Sequence, residues 1–408
     1  MSAATSRNLL TGVRVLDFTQ VIAGPACTRL MAELGAEVIK VELAPTGDLS
    51  RVLPVVRQGR SGYFAQHNQG KQSLCVDVRN PRGRELIDGL IRRTDVLVEN
   101  FSPGTIGRLG LPKAHVLALN PDIIMCSISA FGQEGPLREL PGFDYIAQAM
   151  SGATSMIRKP DEPPMITGFA VGDVGTAVLA LAGINAALFD RERGGGGRYL
   201  DISLVDFYFH CHELNLEVAT LDKPPIPAGS HHASVAPLGV FRAPDGDLML
   251  VVLPGMWTRL CEAMATPELE QDPRFRDNDA RVVHRDALID IIEAWMATTG
   301  SRDAAFARLR KARVPAAPVL SVMEAMTHPH MIERESVYTV DDPVLGPFSV
   351  TGNPLRFDGQ PRQRLSRAPF LGEHNAAILQ NHLGLSAEAI AELREAGILR
   401  DEPLPAGA

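Results

Sequence analysis

Cysteine is scarce in this chain and scattered: Cys27, Cys75, Cys126, Cys211 and Cys261 include no Cys-x-x-Cys pair. An odd, dispersed set excludes a disulfide framework and a thiolate zinc site. A basic surplus is missing as well, with 40 Lys and Arg against 48 Asp and Glu and a net charge of −8. A chain without a basic tail is poorly made to neutralise nucleic-acid phosphates. The longest nearly apolar stretch, Ala177 to Phe189, is shorter than the ~20 residues that cross a bilayer. The opening MSAATSRNLLTGVRVLDF has neither the apolar core nor the small-residue cleavage site of a signal peptide. These absences point to a soluble cytoplasmic protein that binds neither membrane nor nucleic acid. Also missing are a G-x-S-x-G elbow, a Walker A loop and an H-E-x-x-H pair, which removes three large enzyme classes. Aromatics are only 5% of residues, a composition that suits α/β packing better than a β-sandwich.

What is present reads as a folded chain. It has 408 residues, 45% hydrophobic and 22% charged, enough for two or three domains at ~150 residues each. Val13–Thr19, Glu37–Glu42, Ser73–Val78, Asp95–Phe101 and Asp122–Ser129 read as strands. Several lack period-two alternation, as strands buried on both faces do. Between them, Ala26–Leu34 (stopped by Gly35) and Pro81–Arg93 (opened by Asn80-Pro81) carry helix signals. Alternating strand and helix predicts right-handed βαβ units and a doubly wound, Rossmann-like parallel sheet. Gly172–Arg191 is a helix with small and apolar residues on most faces, suited to burial or to a partner, and Arg198–Val205 returns as a strand. The Pro-, Gly- and His-rich segment Asp222–Val240 reads as a linker. A smaller unit follows, with a hairpin over Gly239–Ala243 and Leu248–Leu253 and helices over Trp257–Ala265, His284–Thr298 and Arg302–Ala312. Arg313–Leu320 looks like a second crossing, and Ser386–Ala396 is again helical.

Several tempting sites resolve as structure. Gly194–Gly197 follows a helix and precedes a strand, the reverse of the order that offers a helix N-terminus to phosphate, so it reads as a turn. His210-Cys211-His212-Glu213 looks like a ligand set, yet helical residues two apart point to nearly opposite sides. No distant third ligand supports it, nor His231-His232 in the linker, and no metal is expected. Asp201 and Asp206, flanking the end of a strand, read as solvated or capping. More suggestive is Gly24-Pro25, which directly follows Val21-Ile22-Ala23 and opens a helix. Open parallel sheets bind ligands beyond the carboxyl ends of their strands, where this turn lies. Asn100-Phe101-Ser102-Pro103-Gly104 follows another strand and leads to Arg108, a candidate cation for a phosphate. Asp173, between Gly172 and Val174 at a helix start, is either a cap or a carboxylate nucleophile whose small neighbours admit a substrate.

Taken in order, these strings resemble the family III CoA-transferases, the CaiB/BaiF family. The resemblance runs through Leu9–Glu42, Gly47-Asp48, Val98–Leu111, Pro141–Gly152, Ile166–Val178, Gly196–Asp206 and Ala368–Asn375, nearly the whole chain. It implies a discontinuous large CoA-binding and catalytic domain, 1–221 plus 331–408, with a smaller α+β domain inserted over 222–330. It also implies two interlocked, ring-like chains, an obligate homodimer. Asp173 would be the nucleophile that forms an anhydride with an acyl group and then a thioester with CoA, so that no cofactor is needed beyond CoA as substrate and product. By family position Val21, Asn100, Phe101, Arg108 and Leu109 would line the CoA site. Asp144 holds an acidic position near the active site, as catalyst support or as a loop brace. Backbone N–H groups around Gly24 or in the small domain are candidate oxyanion donors.

Two departures sharpen what the resemblance implies. Racemases of the family carry histidine before the acidic residue to exchange an α-proton; Phe143 stands there and cannot act as acid or base. Formyl-CoA:oxalate transferases typically have Gln where this chain has Ile22, and a mobile glycine loop absent here, which disfavours oxalate and favours a bulkier or less polar acyl group. The expected reaction moves CoA from an acyl-CoA, possibly succinyl-CoA or similar, to a small carboxylic acid. The alternatives are an acyl-CoA racemase or epimerase on the same fold, and a CoA-binding carrier without catalysis.

Overall fold

Six short strands rich in Val, Leu and Ile build one sheet: β1 (Arg14–Asp17), β2 (Glu37–Leu43), β3 (Gln72–Val76), β4 (Val96–Glu99), β5 (Ile124–Ser129) and β6 (Arg198–Ser203). In this computed structural model, which describes residues 8–227, 229–360 and 362–405, their order is β3-β2-β1-β4-β5-β6. Every pairing is parallel. β2 to β5 are buried along almost their whole length, which is why their sequences show runs and not alternation. The order reverses between β1 and β4, so the chain leaves their carboxyl ends in opposite directions and opens a crevice there.

The helices start where local chemistry permits. α1 (Ala23–Glu33) begins three residues before the expected Ala26, because Pro25 falls in the first turn, where no amide is needed. Gly35, at φ 98°, stops the chain after it. α2 (Pro81–Ile91) is capped by Asn80, whose side chain accepts from the Arg82 N–H. α3 (Asp144–Met150) and α5 (Leu204–His210) are short helices after β5 and β6. α4 (Val171–Glu192) is longer than the apolar stretch suggested. With a mean hydropathy of 1.6 over its most apolar window, it has the length and composition of a membrane span. In this fold it packs on α1, β5 and β6, burying Thr176, Ala177, Ala180, Leu181 and Ile184. Its other side leaves Val178, Leu179 and Phe189 exposed. Gly194–Gly197 forms the turn into β6, and a Cβ on Gly197 would lie 2.4 Å from the Pro121 carbonyl.

The core under the sheet joins Leu16, Ile39, Leu74, Leu97 and Met125 to Ile87 and Leu90 of α2. The C-terminal segment closes the outer edge of β3. Asn375 Oδ1 accepts from the Cys75 N–H at 2.8 Å, and its Nδ2 donates to the Arg400 carbonyl at 2.8 Å. That geometry gives the string ending at Asn375 a structural reason, since it supplies hydrogen bonds an edge strand otherwise lacks.

By internal contacts the chain divides into two units. The sheet belongs to the unit of Met1–Ser151, Gly168–Cys211 and His330–Ala408, and the other comprises Gly152–Thr167 and His212–Pro329. In the second unit Leu238–Ala243 and Gly246–Val251 form the expected hairpin. Ala316–Pro318, within the expected second crossing, adds as an antiparallel edge strand. Phe241, Leu248, Trp257, Leu260, Trp295 and Leu309 make its core. The segment read as a linker ends at Leu238, where the first of these strands begins.

Candidate active site

The crevice between β1 and β4 is shaped by a strained turn. Val21 has φ 66°, a left-handed conformation that a β-branched residue rarely adopts. Two side chains hold it. Asn100, directly after β4, accepts from the Gln20 N–H at 2.7 Å and donates back to the Gln20 carbonyl at 2.8 Å. Asp48 accepts from the Val21 N–H at 3.2 Å. Asp48 is itself fixed by the fully buried Lys40 at 2.8 Å, and Lys40 also donates to the Thr19 carbonyl at 2.7 Å. Next to it, Lys71 donates to Asp17 at 2.9 Å, to the Pro25 carbonyl at 3.0 Å and to Asn68 at 2.9 Å, which uses all three of its protons. Burial raises the Asp17 carboxyl, but Lys71 and Lys40 outweigh it and hold it well below the usual range. Burial draws Lys71 down to about 8 against the attraction of Asp17.

Gly24 sits behind this turn. A Cβ there would lie 2.2 Å from Thr19 Cγ2, so the close approach of α1 to the β1 end requires glycine.

The facing wall is the start of α4. Asp173 lies in its first turn, half-buried. Its backbone N–H donates to Asp144 Oδ2 at 3.3 Å. Asp144, at the start of α3 and 7% exposed, accepts through Oδ1 from the Tyr208 hydroxyl. That hydroxyl accepts from the Gly172 N–H at 3.0 Å and from Gln148 Nε2 at 3.3 Å. A Cβ on Gly172 would lie 2.3 Å from the Tyr208 ring and 2.5 Å from Asp144. The glycine of the Gly172-Asp173 pair therefore makes room for Asp144 and Tyr208. Burial, then the charge of Asp144, pushes the Asp173 carboxyl up to about 7. The same two carboxylates add to the burial that raises Tyr63 to about 12.

Between these walls lies a cavity of about 260 Å³. Of the residues singled out from the sequence, Val21, Ile22, Asn100, Phe101 and Asp173 line it together. Asp144 and Gly24 stand behind the lining, one bracing Asp173 and the other the turn. Arg108 and Leu109 do not reach this cavity. Arg108 is exposed on the short helix Thr105–Arg108 and donates to Thr105 Oγ1 at 2.6 Å, while Leu109 packs on the sheet core. The sequence reading assigned no role to Tyr208, Asp48 or Arg138. Nothing local marks Tyr208; only the missing Cβ of Gly172 hints at a bulky neighbour. Asp48 belongs to the Gly47-Asp48 pair of the family pattern, and only the fold brings it to Val21.

The sheet order and the half-buried carboxylate above its switch point define an α/β protein with one carboxylate in its cleft. The chain matches the model of CoA-transferase family III over residues 10–375 and belongs to that family. It is 37% identical to the succinyl-CoA:mesaconate CoA-transferase of Haloarcula hispanica, over 91% of this chain and 95% of that one. It is 34% identical to the formyl-CoA:oxalate CoA-transferase of Streptomyces avermitilis, over 96% and 99%. The succinyl-CoA–D-citramalate CoA-transferase of Chloroflexus aurantiacus is also 34% identical, over 97% and 99%. A CaiB/BaiF family protein from Brucella suis superposes with a TM-score of 0.81 at 32% identity, covering 92% of this chain and all of that one.

Proposed function

We propose that this enzyme moves CoA from an acyl-CoA, succinyl-CoA or a similar thioester, to a small carboxylic acid through covalent intermediates on Asp173. An Asp173 oxygen attacks the thioester carbonyl and expels CoA thiolate, leaving a mixed anhydride. The thiolate attacks the aspartyl carbonyl, releases the donor acid and forms an aspartyl-CoA thioester. The acceptor carboxylate attacks that carbonyl and expels thiolate again; thiolate then takes the acceptor's acyl carbon and restores the Asp173 carboxylate. No proton is consumed, and the energy of the thioester is kept throughout. Ala23 and Gly24 open α1 and keep amide N–H groups outside its own hydrogen bonds. Ala23 lines the cavity, so its N–H is a donor for the oxyanion that develops at each attack.

The observation that carries this reading is the setting of Asp173. A carboxylate whose proton affinity is raised toward neutrality is a better nucleophile than an ordinary one, and it is still ionised in a large share of molecules at pH 7. The family resemblance adds CoA contacts from Val21, Asn100, Phe101, Arg108 and Leu109, on a discontinuous catalytic domain with residues 222–330 inserted. Val178, Leu179 and Phe189 on α4, with Ile146 and Met150 on α3, are exposed apolar side chains, which supports a homodimer. The family resemblance implies a role in acyl-CoA metabolism, which we place in the cytoplasm.

Racemisation is the less favoured reading, because Phe143 lines the cavity with no group that moves a proton. Hydroxylamine added to enzyme and acyl-CoA is expected to mark Asp173 in a peptide mass spectrum. Asp173→Ala is expected to lose transfer by ~10³-fold or more. A variant that keeps full transfer overturns the mechanism. Solvent deuterium entering the α-carbon at a catalytic rate would establish the racemase instead.

A further inference from the structure

Behind the Val21 turn, outside the cavity, lies a carboxylate that the transfer mechanism does not use. Glu42, near the end of β2, is 2% exposed. Each of its oxygens accepts two hydrogen bonds. Oε1 takes Arg51 Nη2 at 2.7 Å and Ser73 Oγ at 2.6 Å; Oε2 takes Arg51 Nε at 2.7 Å and the Asp48 N–H at 3.0 Å. Burial raises the Glu42 carboxyl, but Arg51 outweighs it and holds it below the ordinary glutamate range. A Cβ on Gly47 would lie 2.6 Å from Glu42 Oε2 and 2.6 Å from Leu371 Cδ1, so the loop closes on Glu42 only with glycine there. The partners of Glu42 are in turn tied to the C-terminal segment. The Ser73 hydroxyl, on β3, accepts from the Gly372 N–H at 2.9 Å. The Ser73 N–H donates to His374 Nδ1 at 3.2 Å, and the Ser73 carbonyl accepts from the His374 N–H at 3.1 Å. Arg51 Nη2 also donates to the Pro369 carbonyl at 3.3 Å.

Asp48 accepts from the N–H of the strained Val21, and the N–H of Asp48 ends on Glu42. A carboxylate with four donors on it has no freedom to turn, so its place fixes the backbone of Asp48. Gln20, Val21, Ile22 and Ala23 all line the cavity. We propose that Glu42 is a positioning residue for the transfer reaction: through Asp48 it couples the docked 369–374 segment to the Val21 turn, so that the amides of the turn face the substrate only while that segment is in place. A left-handed valine costs about 1–3 kcal/mol and persists only where its neighbours over-determine it. Asn100 supplies one hold from the β4 side, and Glu42 sets the other from the β3 side. A donor amide displaced by a fraction of an ångström loses much of its value to a developing oxyanion. The inference rests on the transfer reading above and adds to it a residue outside the cavity lining.

The test uses the full-length enzyme and two variants. Glu42→Gln keeps the shape of the side chain but turns an NH2 group toward donors that need an acceptor. Ser73→Ala removes only the hydroxyl that joins Glu42 to Gly372. Transfer kcat is expected to fall by about 10- to 100-fold in Glu42→Gln and about 3- to 10-fold in Ser73→Ala, with KM for the acyl-CoA within about 3-fold in both. Hydrogen–deuterium exchange, read on peptides, is expected to rise by about 10-fold over residues 19–23 and to stay within about 2-fold over residues 96–99 and 124–129 of the sheet. Exchange that rises evenly over turn and sheet, with kcat per folded enzyme unchanged, is a role in stability alone and overturns the proposal. So does a Glu42→Gln kcat within about 2-fold of the wild type. Should Glu42→Gln fail to fold, Ser73→Ala decides: wild-type kcat together with wild-type exchange in the turn overturns the coupling. A wild type that transfers CoA to no acid sinks the transfer reading instead, and the exchange pattern of the variants still decides whether Glu42 holds the turn.

Discussion

The two walls of the cavity treat buried charge in opposite ways. On the strand side, Asp17, Lys40, Asp48 and Lys71 form a closed chain in which every carboxylate has an ammonium partner. On the α4 side, Asp173 and Asp144 face each other, and no cation among the described residues pairs with either. Compensation on the first wall fixes geometry: it holds Thr19, Val21 and Pro25 where the turn needs them. Its absence on the second wall leaves a carboxylate above its ordinary proton affinity. Charge that is paired builds the scaffold, and charge left unpaired is available for chemistry.

Removing one partner on the compensated side should cost most. Lys40→Met leaves Asp48 and Asp17 without part of their counter-charge in the interior, and a loss of about 3–5 kcal/mol in unfolding free energy is expected. Denaturant titration checks it. Combining Lys40→Met with Asp48→Asn should recover part of the loss, because the uncompensated charge is gone. A Lys40→Met protein as stable as the wild type would break the comparison on this wall.

On the other wall the sign reverses. The folded state holds the Asp173 carboxyl at about 7, well above the ordinary aspartate value of 3.8. Its contribution is therefore fully present below pH ~4 and is lost as pH rises through about 7. Asp173→Asn removes that loss. The variant should match the wild type near pH 3.5 and be more stable by about 2–4 kcal/mol at pH 8, at 1.36 kcal/mol for each tenfold change in proton affinity. The same urea titration at both pH values reads the difference. A gap that does not widen with pH would mean that Asp173 is solvated as an ordinary surface carboxylate.

This contrast was only half legible in the sequence. The strands showed as apolar runs because both faces of β2 to β5 are buried, and α2 showed through Asn80 and Pro81. Asp173 stood out through its glycine and its helix start, yet from the residues alone a cap was the better reading. What the fold adds around it is Asp144, 29 residues away, and Tyr208, whose hydroxyl links it to Gly172 across the α3–α5 contact. Pairings so distant in the chain leave no periodic trace. The buried ammonium chain was equally hidden: Lys40 lies in the middle of an expected strand, where its charge alone would argue for an edge position. Arg108, a cation after a strand, stands exposed on its short helix outside the cavity, where a phosphate can still reach it, while Arg138, in a stretch without pattern, is among the lining residues.

The smallest expected effect gives the sharpest test of the uncompensated wall, because it separates charge from packing. Asp144→Asn keeps an acceptor oxygen for the Asp173 N–H but deletes the negative charge that helps to raise the Asp173 carboxyl. The acid limb of kcat/KM, which on the proposed mechanism reports the ionisation of Asp173, should then fall from near 7 by about one pH unit. A carboxylate of lower basicity is also a weaker nucleophile, so the plateau rate should drop by less than ~10-fold. Tyr208→Phe is the control. It keeps both carboxylates but leaves the Gly172 N–H and Asp144 short of a partner, so about 1–3 kcal/mol of stability should go while the limb shifts less than in Asp144→Asn. Were the two variants to move the limb equally, Asp144 would act as a brace and not through its charge. The asymmetry between the walls would then reduce to packing.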